Sequence, residues 1–513
     1  MKNKKIVGRT AKIACSIFIV ILVTVSFLAY YSAVWCKDKY GDVGFDAILF
    51  TLFSDMGGAA AELVQNYLKS ILVPALLLSA IILFILLFDI KGSAIFITFR
   101  SKLKLRLYPF KKRVSVIVSV VVSAVLITVA SSFVGLKPWL QGLLSNSKFI
   151  ETEYVKPSEV KLTFPEEKRN LIYIYLESME NPFLSKELGG ALDYNVIPEL
   201  YGLAKDNINF SDNSEVGGCM QISGATWTIG AMTAQTAGIP LKLPVDGNSY
   251  GEYSRFLPGV TSITDILHNS GYYQALMVGS DAAFGGRSNY FTQHGLDAVY
   301  DYYTAISDGI IPEDYWVWWG MEDKYLYEYA KQELTEISKS DRPFAFTMLT
   351  VDTHHVGGYK CELCGDEYSE NYENVFSCAS KKVAEFVKWL SEQDFYENTT
   401  IVITGDHCSM DAEYMSRNIS DDYERRIYNC FINSAAEPVK EKERVFSQFD
   451  MFPITLAAMG VKIEGDRLGL GVDLFSESET LAEEYGFDFL YDVLNQRSKM
   501  YDSEFLYAKN VKK

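Results

Sequence analysis

Histidine is scarce in this sequence, with five among 513 residues, and positive charge is short, with 48 Lys and Arg against 65 Asp and Glu. The shortage is uneven. Residues 1–140 hold 17 Lys and Arg against 6 Asp and Glu, a balance of +11, and the remainder holds 31 against 59, a balance of −28. So acidic a C-terminal part excludes a nucleic-acid backbone as partner, because phosphate binding needs clustered Lys and Arg. Short-period repeats are absent, and no Gly-rich nucleotide fingerprint follows a strand-like run. A composition of 49% hydrophobic and 22% charged residues excludes a disordered chain, and the length allows two or three domains.

Three stretches lack charge altogether and approach or exceed the roughly 20 apolar residues that a membrane span needs: Ile13–Cys36, Ser70–Phe88 and Val114–Leu136. Pro74 is expected to kink the second. The first is longer than the core of a cleaved signal, and no small-residue cleavage site stands out before Trp35 and Cys36. It therefore reads as a retained helix rather than a signal peptide. Lys2, Lys4, Lys5, Arg9 and Lys12 precede it, and Lys91, Arg100, Lys102, Lys104, Arg106, Lys111, Lys112 and Arg113 separate the second and third. The positive-inside rule places both groups in the cytoplasm, so three crossings export everything beyond residue 136. The short pieces Ala47–Phe53 and Ala94–Phe99 cannot span and are expected in the interface.

Six of the eight cysteines fall in the exported part: Cys219, Cys361, Cys364, Cys378, Cys408 and Cys430. Cys361-x-x-Cys364 has one arm of a zinc site, but no second arm follows at zinc-finger spacing. A disulfide within 361–378 is the expectation for an exported segment, its pairing left open.

Beyond a connector at 137–168, short continuous apolar runs alternate with longer amphipathic segments. Leu171–Leu176, Phe344–Val351 and Thr400–Thr404 have the pattern of strands buried on both faces of a mostly parallel sheet. Val260–Asn269 and Ala379–Gln393 have helical spacing and would cover it, giving an α/β layered fold. Each strand runs into polar residues: Glu177 after the first, Asp352, His354 and His355 after the second, Asp406 and His407 after the third. Ligands of open α/β sheets bind beyond the carboxyl ends of strands. Taken singly these residues are a helix cap, loop residues and a turn former. Together they specify a divalent cation on Glu177, Asp406 and His407, a donor set that suits Mn²⁺, Zn²⁺ or Mg²⁺; ligand type alone does not choose among them, and manganese is taken as the expected ion.

The segment Ser223-Gly-Ala-Thr-Trp-Thr-Ile-Gly-Ala-Met232 leads small residues and hydroxyls into a predicted helix, whose N-terminal N–H groups would meet an anion. A hydroxyl there, beside a metal, has the makings of a nucleophile; the plainer reading is N-capping by Thr226 or Thr228.

These pieces resemble a known family. NLIYIYLESME (170–180), GATWTIGAM (224–232) with GIPL (238–241), LTVDTHH (349–355), FYENTTIVITGDH (395–407) and RLGLGVDLF (467–475) are similar, in the same order, to the sulfatase-like phosphoglycerol transferases, the group of lipoteichoic acid synthase and the membrane-derived-oligosaccharide transferases. The resemblance covers roughly 169–478 and implies an alkaline-phosphatase/sulfatase-like α/β fold. It implies Glu177, Thr226, Asp406 and His407 as metal ligands, and Thr226 as nucleophile with Thr228 as fallback. His354 would be a substrate-binding histidine serving proton transfer, and Arg287, in FGGRSNYF, a phosphate contact, although Gly285 stands where the family has an aromatic residue. Asp281 and His294 are expected to be structural. The Cys/Ser-x-Pro-x-Arg motif of sulfatases proper is missing, which disfavours sulfate ester cleavage.

The implied activity moves glycerophosphate from phosphatidylglycerol to an envelope polysaccharide or glycolipid through an ester on Thr226, at a bacterial cell membrane. The alternatives are a phosphoethanolamine transferase or phosphodiesterase with the same ligands, or a non-catalytic membrane-anchored binding protein. The expected organisation is a membrane region over 1–136, the connector, a catalytic domain over 169–478 and a helical tail over 479–513.

Overall fold

The computed structural model describes residues 2–41, 44–46, 48–49, 65–87, 95–99, 103–108, 112–242 and 256–506, which fall into two compact units. The first unit, residues 1–43 and 59–138, is built on helices α1 (Lys2–Tyr40), α2 (Val73–Leu87) and α3 (Lys112–Phe133). Ile19, Val23 and Phe27 of α1 form its small core with Leu78, Ile82, Val116 and Leu126 around them. Ser26 donates to Ser123 across α1 and α3 at 3.1 Å. The outward faces are also apolar: Ile21, Leu77 and Ile117 are 58%, 61% and 61% exposed. In water that arrangement is unfavourable, and in lipid it is the expected one. Among the described residues, three helical stretches, Ile13–Tyr40, Gln65–Phe84 and Val114–Phe133, are long and apolar enough to cross a membrane, as befits a membrane-anchored chain.

Two details differ from the sequence expectation. A π-helical turn, Leu68–Leu72, directly precedes α2, where Pro74 has no N–H to bond the preceding turn. Ile95–Phe99 pairs antiparallel with Leu103–Tyr108, so its alternating β-branched and aromatic residues make a strand. Ala94, Ala47 and 50–53, from the two pieces expected in the interface, lie outside the described residues.

The second unit, residues 44–58 and 139–513, is organised by a seven-stranded sheet. Its strands are β1 (Asn170–Leu176), β2 (Gly218–Cys219), β3 (Tyr273–Val278), β4 (Ala298–Tyr300), β5 (Phe344–Leu349), β6 (Thr399–Gly405) and β7 (Ile427–Ile432). The spatial order is β2-β7-β6-β1-β5-β3-β4. The ladder from β6 to β4 is parallel, and β7 and β2 are antiparallel additions at one edge. The three expected strands are the three innermost. β1 and β6 are buried at every residue, which is why they read as unbroken apolar runs.

Helices used below are α4 (Thr228–Ala237), α5 (Ile263–Asn269), α6 (Arg287–Gln293) and α7 (Asn371–Ser391). α5 starts at a Ser262 cap boxed with Asp265. α7 begins eight residues before the expected 379, because Tyr372, Val375 and Phe376 extend its buried stripe by two turns.

Residues 139–168, expected as a connector, pack into this unit. Val155 N–H donates to Gly469 at 2.8 Å, and Leu162–Thr163 pairs with Lys462–Ile463. The C-terminal part forms short helices, Leu481–Tyr485 and Phe487–Leu494, and a π-helical turn at Tyr501–Leu506. Of the expected tail, 507–513 lie outside the described residues.

Candidate metal centre and active site

Strand register assembles the site. Leu176, the last residue of β1, is paired with Gly405, the last of β6, so Glu177 and Asp406 leave adjacent parallel strands side by side. The approach is close enough that a β-carbon on Gly405 would stand 2.0 Å from the Met179 carbonyl oxygen, which leaves room only for glycine. From the other side β5 ends at Leu349, and Thr350 binds back: its N–H donates to Tyr175 at 3.0 Å and its hydroxyl accepts from Glu177 N–H at 3.0 Å.

Glu177, Asp406 and His407 are buried, with one ligand atom from each within 4.8 Å of the others. His407 Nε2 is 3.6 Å from Glu177 Oε1 and 3.3 Å from Asp406 Oδ2. Each carboxylate has one oxygen held: Asp406 Oδ1 accepts from the N–H groups of Ser178 and His407, both at 2.8 Å, and Glu177 Oε1 accepts from Ser178 Oγ at 2.8 Å. Ser178 makes these bonds with φ at +57°, a strained conformation for a residue with a β-carbon that the surrounding bonds hold in place. His407 Nδ1 donates to the Cys408 carbonyl at 2.9 Å, so the lone pair is on Nε2. Among the described residues, Asp406 Oδ2 and His407 Nε2 are buried with no hydrogen-bond partner.

Burial, then the adjacent Glu177 carboxylate, push the Asp406 carboxyl up to about 7. Burial pulls the His407 imidazole down, but Asp406 and Glu177 outweigh it and hold it above its ordinary value. Two buried carboxylates side by side repel each other, and a cation between them would relieve that repulsion. Ligand atoms without a hydrogen bond and crowded carboxylates together fit a divalent cation held by these three residues.

Thr226 lies two residues ahead of α4, which starts at Thr228 with Trp227 as N-cap and no side-chain capping bond. The plainer expectation, capping by either threonine, is not what holds this helix end. Two buried glutamines tie the segment to the metal-ligand strand. Gln448 accepts from Ile222 N–H at 3.0 Å and donates to the carbonyls of Ala225 at 2.9 Å and Asp406 at 2.8 Å. Gln235, on α4, donates to the carbonyls of Gly405 at 3.1 Å and Asp406 at 3.2 Å and accepts from Tyr173 at 2.8 Å. Gly224 takes φ +77° in the turn before Thr226, where a β-carbon would meet Pro240 at 2.8 Å.

Arg287 opens α6 almost fully buried, donating to the carbonyls of Phe284 at 3.1 Å and Asp281 at 2.7 Å and to Ser280 Oγ at 2.9 Å. Burial lowers its guanidinium to about 10, opposed by Glu177, Asp281, Asp301 and Asp406; it stays a cation at neutral pH and feels the metal-ligand carboxylates. His354 donates from Nδ1 to the His355 carbonyl at 2.8 Å. Burial and the neighbouring His407 and Arg287 bring it down to about 4, partly opposed by the His355 carbonyl and Asp406, so it is neutral in ordinary conditions.

The other strand-end groups go elsewhere. Asp352 is held by Lys382 at 2.7 Å and accepts from Asp323 N–H. Asp281 Oδ1 caps its own turn at Ala283, and His294 pairs with Asp265 at 2.6 Å.

Sequence reasoning missed Gln235, Gln448 and Trp319, whose ring centroid lies 4.6 Å from that of His354. It also missed Arg425, whose guanidinium grips Glu180 and the Ser409 carbonyl two residues beyond His407. A cleft of about 430 Å³ opens there, lined in part by Gln221, Cys408, Arg425 and Arg426. Both its arginines are already paired, Arg426 with Asp212 and Glu424.

A mostly parallel sheet delivering Glu, Asp and His from neighbouring strand ends is an alkaline-phosphatase-like architecture. A crystal structure of an alkaline phosphatase superfamily protein from Vibrio parahaemolyticus superposes with a TM-score of 0.50 at 20% identity, covering 68% of this chain and 80% of that one. The chain belongs to the sulfatase family, whose model matches residues 169–461. Phosphoglycerol transferase I of Citrobacter koseri is 32% identical over 266 residues, 50% of this chain and 33% of that protein. The protein of the same name from Salmonella paratyphi B is 31% identical over 266 residues, with the same coverage. The matched region is thus about a third of these relatives' length.

Proposed function

We propose that this protein is a metal-dependent transferase that takes glycerophosphate from phosphatidylglycerol in the membrane and passes it to an envelope polysaccharide or glycolipid, with Thr226 as the covalent carrier. The observation that carries the proposal is the convergence of Glu177, Asp406 and His407 with two unpartnered buried donor atoms, beside a hydroxyl-bearing segment that Gln448 ties to the Asp406 backbone. The relatives named phosphoglycerol transferase I support the choice of headgroup.

In this scheme Glu177, Asp406, His407 and Thr226 would hold a divalent cation, manganese, which when bound would polarise a phosphoryl oxygen and lower the pKa of a coordinated hydroxyl. Thr226 Oγ loses its proton to solvent and attacks phosphorus; the bond from phosphorus to the diacylglycerol oxygen breaks, and that oxygen takes up a proton from solvent as diacylglycerol leaves. Arg287 meets charge that develops on the phosphoryl oxygens. An acceptor hydroxyl then attacks the Thr226 ester, and the threonine oxygen regains a proton as it departs. His354, neutral and with Nδ1–H engaged by a carbonyl, suits the role of taking the proton from that hydroxyl at Nε2.

Full-length protein in detergent, supplied with phosphatidylglycerol labelled in the headgroup, is expected to release diacylglycerol and become labelled itself. Release of water-soluble glycerophosphate with no labelled protein would replace the carrier with direct hydrolysis. Activity on phosphatidylethanolamine alone would reassign the headgroup.

A further inference from the structure

Away from these residues, the chain between β5 and α7 runs from 350 to 370 without helix or strand, carrying His354 near its start. Three cysteines converge there. Cys361 and Cys364 belong to this loop, closed into a tight turn by the Cys364 N–H donating to the Cys361 carbonyl at 3.1 Å. Cys378 comes from the second turn of α7. Cys361 Sγ lies 3.6 Å from Cys364 Sγ and 3.8 Å from Cys378 Sγ, and all three sulfurs are within 4.8 Å of one another. All three are free thiols, so the disulfide expected within 361–378 is not what the structure contains. The second arm absent at zinc-finger spacing is replaced by a single residue on a helix.

The separations have a chemical meaning. Zinc–thiolate bonds are about 2.3 Å, and the edge of a tetrahedron with that radius is about 3.8 Å. The two closest sulfur pairs match this edge, and a disulfide would leave the third thiol odd beside it. The surroundings suit a negatively charged metal–thiolate centre. Lys382, four residues along α7 from Cys378 and so on the same face, is 7% exposed. Glu322 is buried too, shares with Asp352 and Cys361 a cluster in which ligand atoms are within 4.8 Å, and has an Oε2 with no hydrogen-bond partner among the described residues. Its other oxygen is held by Tyr315 at 2.6 Å and lies 3.2 Å from Lys324.

We infer that Cys361, Cys364 and Cys378 form a structural zinc site, distinct from the metal centre at Glu177, with the fourth position left to a solvent molecule or to a side chain near Cys361. Each thiol releases its proton to solvent as the metal binds. The ion fastens an otherwise irregular loop to α7 and so steadies the backbone that carries His354.

The test uses the full-length chain in detergent with cobalt as the probe. Cobalt at the three thiolates gives a sulfur-to-metal charge-transfer band that oxygen and nitrogen ligands of the Glu177 site cannot give. The band is expected in the wild type and in Glu177→Gln, and lost in Cys361→Ser and Cys364→Ser. The wild type isolated without chelator should carry one zinc per chain that Glu177→Gln retains. The wild-type spectrum stands even if a cysteine variant fails to fold. Absence of the band in reduced wild-type protein would overturn the site. So would a disulfide among the three cysteines in non-reducing peptide maps of protein taken directly from membranes.

Discussion

Thr226 and His354 are the residues at which the proposed chemistry is most exposed to test. Thr226→Ala removes the carrier oxygen and is expected to lower transfer by at least about a thousandfold with the fold intact. The measurement is diacylglycerol release beside a thermal unfolding curve. If Thr228→Ala is inactive and Thr226→Ala is not, the nucleophile moves two residues into α4; if both variants turn over, the covalent route is wrong. His354 has its imidazole lowered to about 4, burial being the first cause. A lowered value means that the charged form appears only below that pH, so His354 should remain a neutral proton acceptor from pH 8 down to 5. Its NMR signal, assigned by difference against His354→Gln, is expected not to shift over that range. A titration near 6.5 would show an exposed imidazole and remove it from the role.

At the scale of elements, the coupling between α4 and β6 rests on side-chain amides. Gln448 satisfies three buried backbone groups at once. Gln448→Glu keeps the shape and the acceptor for Ile222 N–H but removes both donors, leaving two carbonyls unpaired next to a buried charge. A loss of about 2–4 kcal/mol in unfolding free energy is expected, with kcat falling more than KM. Chemical denaturation and steady-state kinetics on one preparation would check this, and a variant of unchanged stability would show that Gln448 does not clamp the segment.

This coupling also marks where the sequence stops being readable. β1, β5 and β6 are legible because strands buried on both faces are apolar throughout, and Glu177, Asp406 and His407 are legible because charges directly after such runs need an explanation. A glutamine 223 residues from the carbonyl it holds gives no comparable signal. Neither does Trp319, which comes near His354 only through tertiary packing; Cys378 is legible only as one end of the 361–378 segment, not as the thiol that α7 brings to Cys361. β2 and β4, at two and three residues, are shorter than any periodicity can report.

For the molecule as a whole, the scheme requires the second unit to face outward, where phosphatidylglycerol of the outer leaflet and envelope polysaccharides are both within reach. Eight positive charges between the second and third candidate spans are the reason to expect that stretch in the cytoplasm. Single cysteines at Ser101 and at the exposed Asn146, in a chain otherwise free of cysteine, distinguish the two sides. A membrane-impermeant thiol reagent on intact cells is expected to label position 146 and not 101. The reverse pattern would invert the topology and take the proposed donor and acceptor with it.

The clamp at Gln448 also has a consequence for timing. The groups it joins come from residues 222, 225 and 406, all of which are made before Gln448. Contacts so distant in sequence form late. During synthesis the spans enter the bilayer first, and the β1 end and the Thr226 segment emerge long before Gln448 is made. Under the proposed scheme, a nascent chain already anchored in the membrane therefore lacks the tie between the hydroxyl and the metal-ligand strand. Transfer is then expected to begin only once residue 448 has been made and the domain has closed around it.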